Sequence, residues 1–176
     1  FVRSYDEYSA FRLDEGGAAC FFTRSIPDGE DYFALGCWQD KIVLQHSGGY
    51  QQQPLNPAGE AATDEELRAW LAADEQAQNE QTKNICLLDT AGSMTDTDMT
   101  WSGDAGNVQL VHNGAAYVLN KSGLVTKFDL AAGTVKTRQL DLQGTQISYG
   151  VVEGARLDGW IPVMVRDGQR GPAEPE

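Results

Sequence analysis

Short runs in which apolar and polar residues alternate, broken by glycine, proline and asparagine, recur along most of the chain and predict strands. In the first fifty residues they cover 18–24, 32–38 and 41–46. Pro27-Asp28-Gly29 supplies turn chemistry between the first two, and 38–41 is short enough for a hairpin. A further apolar strand is expected at 84–88. From residue 107 onward a meander is predicted over 107–112, 115–120, 124–130 and 134–140, punctuated by Asn113-Gly114, Ser122-Gly123 and Ala132-Gly133. Asn-Gly between alternating runs is a strong hairpin signal, because both residues tolerate positive φ. Within 124–130, Leu124, Thr126, Phe128 and Leu130 share one face while Val125, Lys127 and Asp129 share the other. Residues 145–152 and 160–166 add two more strands.

Only one segment carries helical spacing. A polar stretch with Gly48-Gly49, three consecutive glutamines, Pro54 and Pro57 reads as a loop over 47–59, and it leads into Thr63-Asp64-Glu65-Glu66. There the Thr63 hydroxyl can cap the Glu66 amide while the Glu66 carboxylate reaches back. Leu67, Trp70 and Leu71 form a short apolar stripe, and beyond residue 74 the pattern is almost wholly polar, so the helix, about 63–80, is expected to be anchored at its start only. The fold class expected is mainly β, with antiparallel meander sheets and one short helix. One β-rich domain over 1–166 and a flexible tail over 167–176 complete the picture. Four short strands with regular turns resemble a β-propeller blade, and Phe128-Asp129-Leu130-Ala131-Ala132-Gly133-Thr134-Val135 is similar to the strand-turn-strand corner of such blades.

Charge narrows the partners. With 26 acidic and 13 basic residues the net charge is -13, which disfavours nucleic acid and anionic membranes and favours fast, salt-sensitive association with a cationic protein. No run approaches the roughly 18 apolar residues that span a bilayer, so no membrane span is expected. The chain opens on Phe1-Val2-Arg3, which is consistent with a removed leader and a periplasmic or secreted location. In such a compartment Cys20 and Cys37, on apolar runs separated by a turn, are a candidate disulfide, with Cys37–Cys86 as the competing pair and three reduced core thiols as the remaining alternative.

The stretch Leu87-Leu88-Asp89-Thr90-Ala91-Gly92-Ser93-Met94 bears on metal binding. It resembles the metal-ion-dependent adhesion site of von Willebrand factor type A domains, an apolar strand followed by Asp-x-Ser-x-Ser. Asp89 and Ser93 match, but Ala91 replaces a serine and offers no oxygen to a hard cation. Asp96, Asp98 and Thr100 suit the opening of an EF-hand loop, yet Trp101 stands where glycine is needed and Asn107 where a glutamate is needed. Asp89-Thr90-Ala91-Gly92 approximates the Asp-Thr-Gly of aspartic proteases without a second copy. Neither histidine, His46 or His112, lies in a catalytic motif, and Cys86 sits in an apolar strand where burial blunts a thiol. No catalytic residue, metal ligand or cofactor is assigned from sequence, and the chain is expected not to be an enzyme.

What remains is a segment over 89–106 expected to form a long contact loop. Its hydroxyls Thr90, Ser93, Thr95 and Ser102, its acids Asp89, Asp96 and Asp98, and its apolar Met94, Met99 and Trp101 suit an adaptable, negatively charged protein-binding surface. The 47–59 loop is a second candidate contact. In its acidity, its β scaffold without catalytic groups and its expected export with a disulfide, the chain resembles the small periplasmic immunity proteins that neutralise cell-wall hydrolase effectors of bacterial type VI secretion, in particular the one paired with an amidase effector. The resemblance implies a stoichiometric inhibitory complex with a peptidoglycan hydrolase, in which the loop, Ser93 foremost, enters the effector's Cys/His cleft. An alternative is a carbohydrate- or ligand-binding β module stacking sugars on Trp38, Trp101 and Trp160.

Overall fold

The alternating runs form strands in antiparallel sheets, and the Thr63 cap starts the one helix seen in the computed structural model, which describes residues 1–3, 7–25, 30–48, 63–103, 108–147 and 165–167. The protein is mainly β. It divides into two compact units, Phe1–Gly103 and Asp104–Glu176, where one domain over 1–166 is the expectation from sequence. The 167–176 tail beyond Asp167, most of the 47–59 loop, and Trp160 lie outside the described residues.

In the first unit, β1 (Val2–Arg3), β2 (Glu7–Asp14) and β3 (Gly17–Ser25) make a three-stranded sheet. A four-stranded sheet follows in chain order, from β4 (Glu30–Trp38) through β5 (Lys41–Gly48) and β6 (Lys83–Leu88) to β7 (Met94–Trp101). Between β5 and β6 the chain forms α1 (Asp64–Glu80). The two sheets share an apolar cluster of Tyr8, Ala10, Tyr32, Leu44, Cys86 and Leu88, with Phe21, Phe22, Ile42 and Met94 packed against it. Burying a large apolar side chain of this kind stabilises the fold by about 1.5–3 kcal/mol. Val43 and Ile85, which alternate with the cluster residues, are fully buried too, so both faces at the centre of the β4–β7 sheet are covered. Tyr8 also joins the sheets through polar atoms. Its hydroxyl donates to Asp31 Oδ1 at 2.5 Å and accepts from the Tyr32 amide at 2.9 Å, which satisfies a backbone donor on edge strand β4.

The predicted capping box is present: the Glu66 amide donates to Thr63 Oγ1 at 3.4 Å, and the Thr63 amide donates to Glu66 Oε2 at 2.8 Å. The Thr63 amide, with the Thr63 hydroxyl donating to the same Oε2 at 2.8 Å, holds the Glu66 carboxyl below its ordinary pKa. Leu67 and Trp70 are half-buried, whereas Leu71 is 52% exposed, so the apolar stripe anchors less of the helix than its spacing suggests.

The second unit is the expected meander of β8 (Val108–His112), β9 (Ala115–Leu119), β10 (Leu124–Asp129) and β11 (Thr134–Gln139), with β12 (Thr145–Ile147) and β13 (Val165–Asp167) paired separately. Asn113 and Gly114 both take positive φ, 47° and 74°, as the hairpin between β8 and β9 requires. Thr126, Phe128 and Leu130 are buried on the predicted inner face. In each four-stranded sheet the strands lie side by side in chain order.

Candidate functional site

Residues 89–93 form a tight turn and 94–101 form β7, where sequence reasoning expects one long loop over 89–106. Threonine favours strands and aspartate disfavours them, so Met94-Thr95-Asp96-Thr97-Asp98-Met99-Thr100-Trp101 carries no clear local preference. Pairing with β6 decides the outcome.

The turn is braced from within. Asp89 Oδ1 accepts from the Ala91 and Ser93 amides, both at 2.9 Å, while backbone bonds join Asp89 to Ser93 and Gly92. Asp89 therefore braces its own turn. At the other end of the hairpin the buried Lys83 ammonium donates to the Gly103 carbonyl at 2.6 Å. Both ends of β7 are thus fixed.

Along the hairpin the predicted contact residues separate. Thr90, Ser93, Thr95, Asp98 and Ser102 are exposed. Met94 is half-buried against the core cluster, and Met99, only 3% exposed, belongs to the core and not to the surface expected of it. Trp101 is half-buried beside Lys83, its cross-strand partner. Trp38 lies on β4 at the opposite edge of the same sheet, about 14 Å across three strand spacings, and at the opposite end of the strands as well, because Thr100 next to Trp101 is in the row of Asn84, His46 and Tyr32. A joint stacking platform for a sugar is not assembled from these two rings.

Asp96 behaves differently from the other acids. Between Asn84 and Cys86 the β6–β7 register shifts, so β7 bulges: Thr100 faces Asn84 and Asp96 faces Cys86. Thr97 holds the bulge, its hydroxyl donating to the Ile85 carbonyl at 2.7 Å and accepting from the Met99 amide at 3.2 Å. Asp96 Oδ1 then accepts from the Cys86 thiol at 2.8 Å and from Asn84 Nδ2 at 3.2 Å. On β5, Leu44 faces Cys86 and His46 faces Asn84, which places the His46 ring on the same side. His46, Cys86 and Asp96 bring one ligand-type atom each within 4.8 Å of the others. Sequence reasoning misses this trio, because its members lie on three strands with no motif spacing.

The surroundings order these groups. Tyr32 stacks on His46 with ring centroids 4.5 Å apart and an interplanar angle of 6°. Glu30 Oε2 accepts from the Tyr32 hydroxyl at 3.1 Å and lies 3.7 Å from His46 Nε2 and 3.8 Å from Arg24 Nη2. Burial raises the Tyr32 pKa to about 12; the Arg24 charge opposes this, and the charge and hydrogen bond of Glu30 reinforce it. Burial, followed by the Asp96 hydrogen bond and charge, pushes the Cys86 thiol well above its ordinary range. The Cys86 hydrogen bond holds Asp96 below its usual pKa, with Asn84 adding to it and burial opposing. In the free protein the pair is a protonated thiol on a carboxylate, which is poor geometry for a nucleophile.

All three cysteines are free thiols, against the expected Cys20–Cys37 bridge. That pairing needs neighbouring strands, but Cys20 is on β3 and Cys37 on β4, in different sheets. Cys20 instead contacts the Phe22 carbonyl at 3.3 Å. The competing Cys37–Cys86 pair is separated by β5, about 9.6 Å across two strand spacings and beyond the reach of a disulfide. Among the described residues no helix is long and apolar enough to cross a membrane. No protein-family model, no curated protein and no solved structure matches this chain.

Proposed function

We propose that this protein is a non-catalytic, acidic binding protein that engages a cationic protein through the turn at 89–93 and the exposed positions of β7. The observation that carries the reading is the fixed hairpin. Asp89 locks its turn and Lys83 ties its far end, so Ser93, Thr95 and Asp98 are presented with little ordering left to lose on binding. β7 also ends its sheet among the described residues, leaving one side of the strand without a strand partner. The net charge of -13 adds long-range attraction for a basic partner. The separation of Trp38 and Trp101 favours a protein ligand over a sugar.

Within this reading the partner is a peptidoglycan hydrolase effector of type VI secretion and the chain its periplasmic immunity protein, as the resemblance in overall character implies. Ser93 at the hairpin tip would approach the effector's cleft and exclude substrate. The test is titration of a purified basic amidase effector with this chain while its hydrolysis of peptidoglycan is followed. One-to-one loss of activity, weakened by Ser93→Lys and by Asp98→Lys with unchanged melting temperatures, supports the proposal. Full hydrolase activity in the presence of excess chain refutes the inhibitor role.

A further inference from the structure

We propose that His46, Cys86 and Asp96 form a binding site for a zinc-class divalent cation, with three protein ligands and a fourth position open to solvent. The inference is independent of the partner-binding reading. The three side chains come from consecutive strands β5, β6 and β7 and face the same side of the sheet, and their ligand-type atoms all lie within 4.8 Å of one another. A tetrahedral zinc ion with bonds of about 2.0–2.3 Å sets one sulfur, one nitrogen and one oxygen ligand about 3.3–3.7 Å apart. Seating an ion needs the Cys86–Asp96 pair, now 2.8 Å apart, to open by somewhat less than about 1 Å and the wider pairs to close by about 1 Å, within the range of side-chain rotation. Cys86 is fully buried, His46 half-buried and Asp96 exposed, so the ion would enter on the Asp96 side and meet sulfur at the floor.

The donor set selects the metal. One sulfur, one imidazole nitrogen and one carboxylate oxygen suit zinc and its spectroscopic substitute cobalt, whereas magnesium and calcium require oxygen ligation throughout. Three protein ligands with a free position distinguish the arrangement from a closed structural zinc site. Supporting groups are in place around the ligands. Asn84 donates to Asp96 and contacts the Cys86 sulfur, and Tyr32 fixes the plane of the His46 ring. The bulge pinned by Thr97 brings Asp96 opposite Cys86. Because the ligands sit on paired strands, their spacing is set by sheet geometry. Arg24 is the nearby opposing charge, and Glu30, 3.8 Å from it, offsets that charge.

The full chain, stripped with chelator and titrated with Co²⁺ and then Zn²⁺, tests the site. One cobalt per chain is expected, with a sulfur-to-cobalt charge-transfer band, strong tetrahedral ligand-field absorption, and displacement by zinc. The band persists in the Cys20→Ser/Cys37→Ser variant, which lacks the exposed thiols. His46→Gln and Asp96→Asn each weaken cobalt binding by at least about tenfold with unchanged far-ultraviolet circular dichroism. X-ray absorption of the zinc-loaded wild-type protein, which needs no variant to fold, shows one sulfur among nitrogen and oxygen neighbours. The proposal is overturned by any of four results: no charge-transfer band, loss of the band in the Cys20/Cys37 variant, affinity within twofold of wild type in both His46→Gln and Asp96→Asn, or two sulfurs at the zinc.

Discussion

Tyr8→Phe removes one oxygen from the junction between the two sheets of the first unit, and its cost follows from the partners of that oxygen. The hydroxyl donates to the Asp31 carboxylate at 2.5 Å and accepts from the Tyr32 amide at 2.9 Å, at a residue only 1% exposed. A hydrogen bond to a charged group contributes about 1.5–3 kcal/mol, and a buried N–H left without its acceptor costs about 1–3 kcal/mol. Asp31 is half-buried and rehydrates partly once the hydroxyl is gone, which places its share at the low end. The ring itself stays, with its stack on Phe1 and its edge contact to Tyr32. The expected destabilisation is about 2–4 kcal/mol. Urea unfolding followed by tryptophan fluorescence reads it as a lower midpoint at unchanged slope. The Tyr8→Phe/Asp31→Asn cycle should show coupling between the two positions. A Tyr8→Phe midpoint equal to that of wild type would falsify the polar junction as a source of stability.

Other perturbations probe separate features. Gly92 takes φ +82°, and a Cβ there would stand 3.3 Å from the Phe21 carbonyl oxygen, so Gly92→Ala should cost about 1–2 kcal/mol; an unchanged melting temperature would show that the turn relaxes freely. Because the folded Glu66 pKa is lowered, its capping contribution is present above the ordinary carboxylate range and is lost as pH falls through the folded value. Acid titration of helical circular dichroism should therefore lose a component that is absent in Glu66→Gln, whose side chain does not titrate, and identical acid profiles for the two proteins would contradict it. A thiol-reactive chromophore at neutral pH should label Cys20 and Cys37 quickly and Cys86 only on unfolding, since the first two are exposed and the third is buried. Three equally fast thiols would contradict the buried position of Cys86.

Where local signals agreed with pairing, the sequence was readable. Asn113-Gly114, the alternation at Thr126, Phe128 and Leu130, and the Thr63/Glu66 box each specify structure within a few residues, and each appears as expected. β7 was not readable, because its threonines and aspartates pull in opposite directions and only β6 settles the matter. β2 hides for a related reason: buried Tyr8, Ser9 and Ala10 are consecutive, and Phe11 and Leu13 are exposed, so no period of two is visible. The Cys20–Cys37 expectation failed on sheet membership, which no spacing encodes. His46, Cys86 and Asp96 meet only through two registers and one bulge, so they become neighbours only once the strands are aligned.

The same bulge divides the roles of the two aspartates on β7. In a regular strand Asp96 and Asp98 would share a face and act as one acidic patch. Here Asp96 turns to Cys86 and Asn84, while Asp98 is exposed in the stretch that the Thr97 hydroxyl pins to Ile85. Both carboxylates contribute to the long-range field that draws a cationic partner, so Asp96→Asn and Asp98→Asn should slow association with a basic protein by similar factors at low salt. Only Asp96 is placed to touch a cation between the strands. Cobalt titration should therefore separate the two variants: Asp98→Asn stays within about twofold of wild type, and Asp96→Asn falls by at least about tenfold. Equal losses in both would mean that cobalt senses the general negative field of the strand, and the division of labour drawn from the bulge would be wrong.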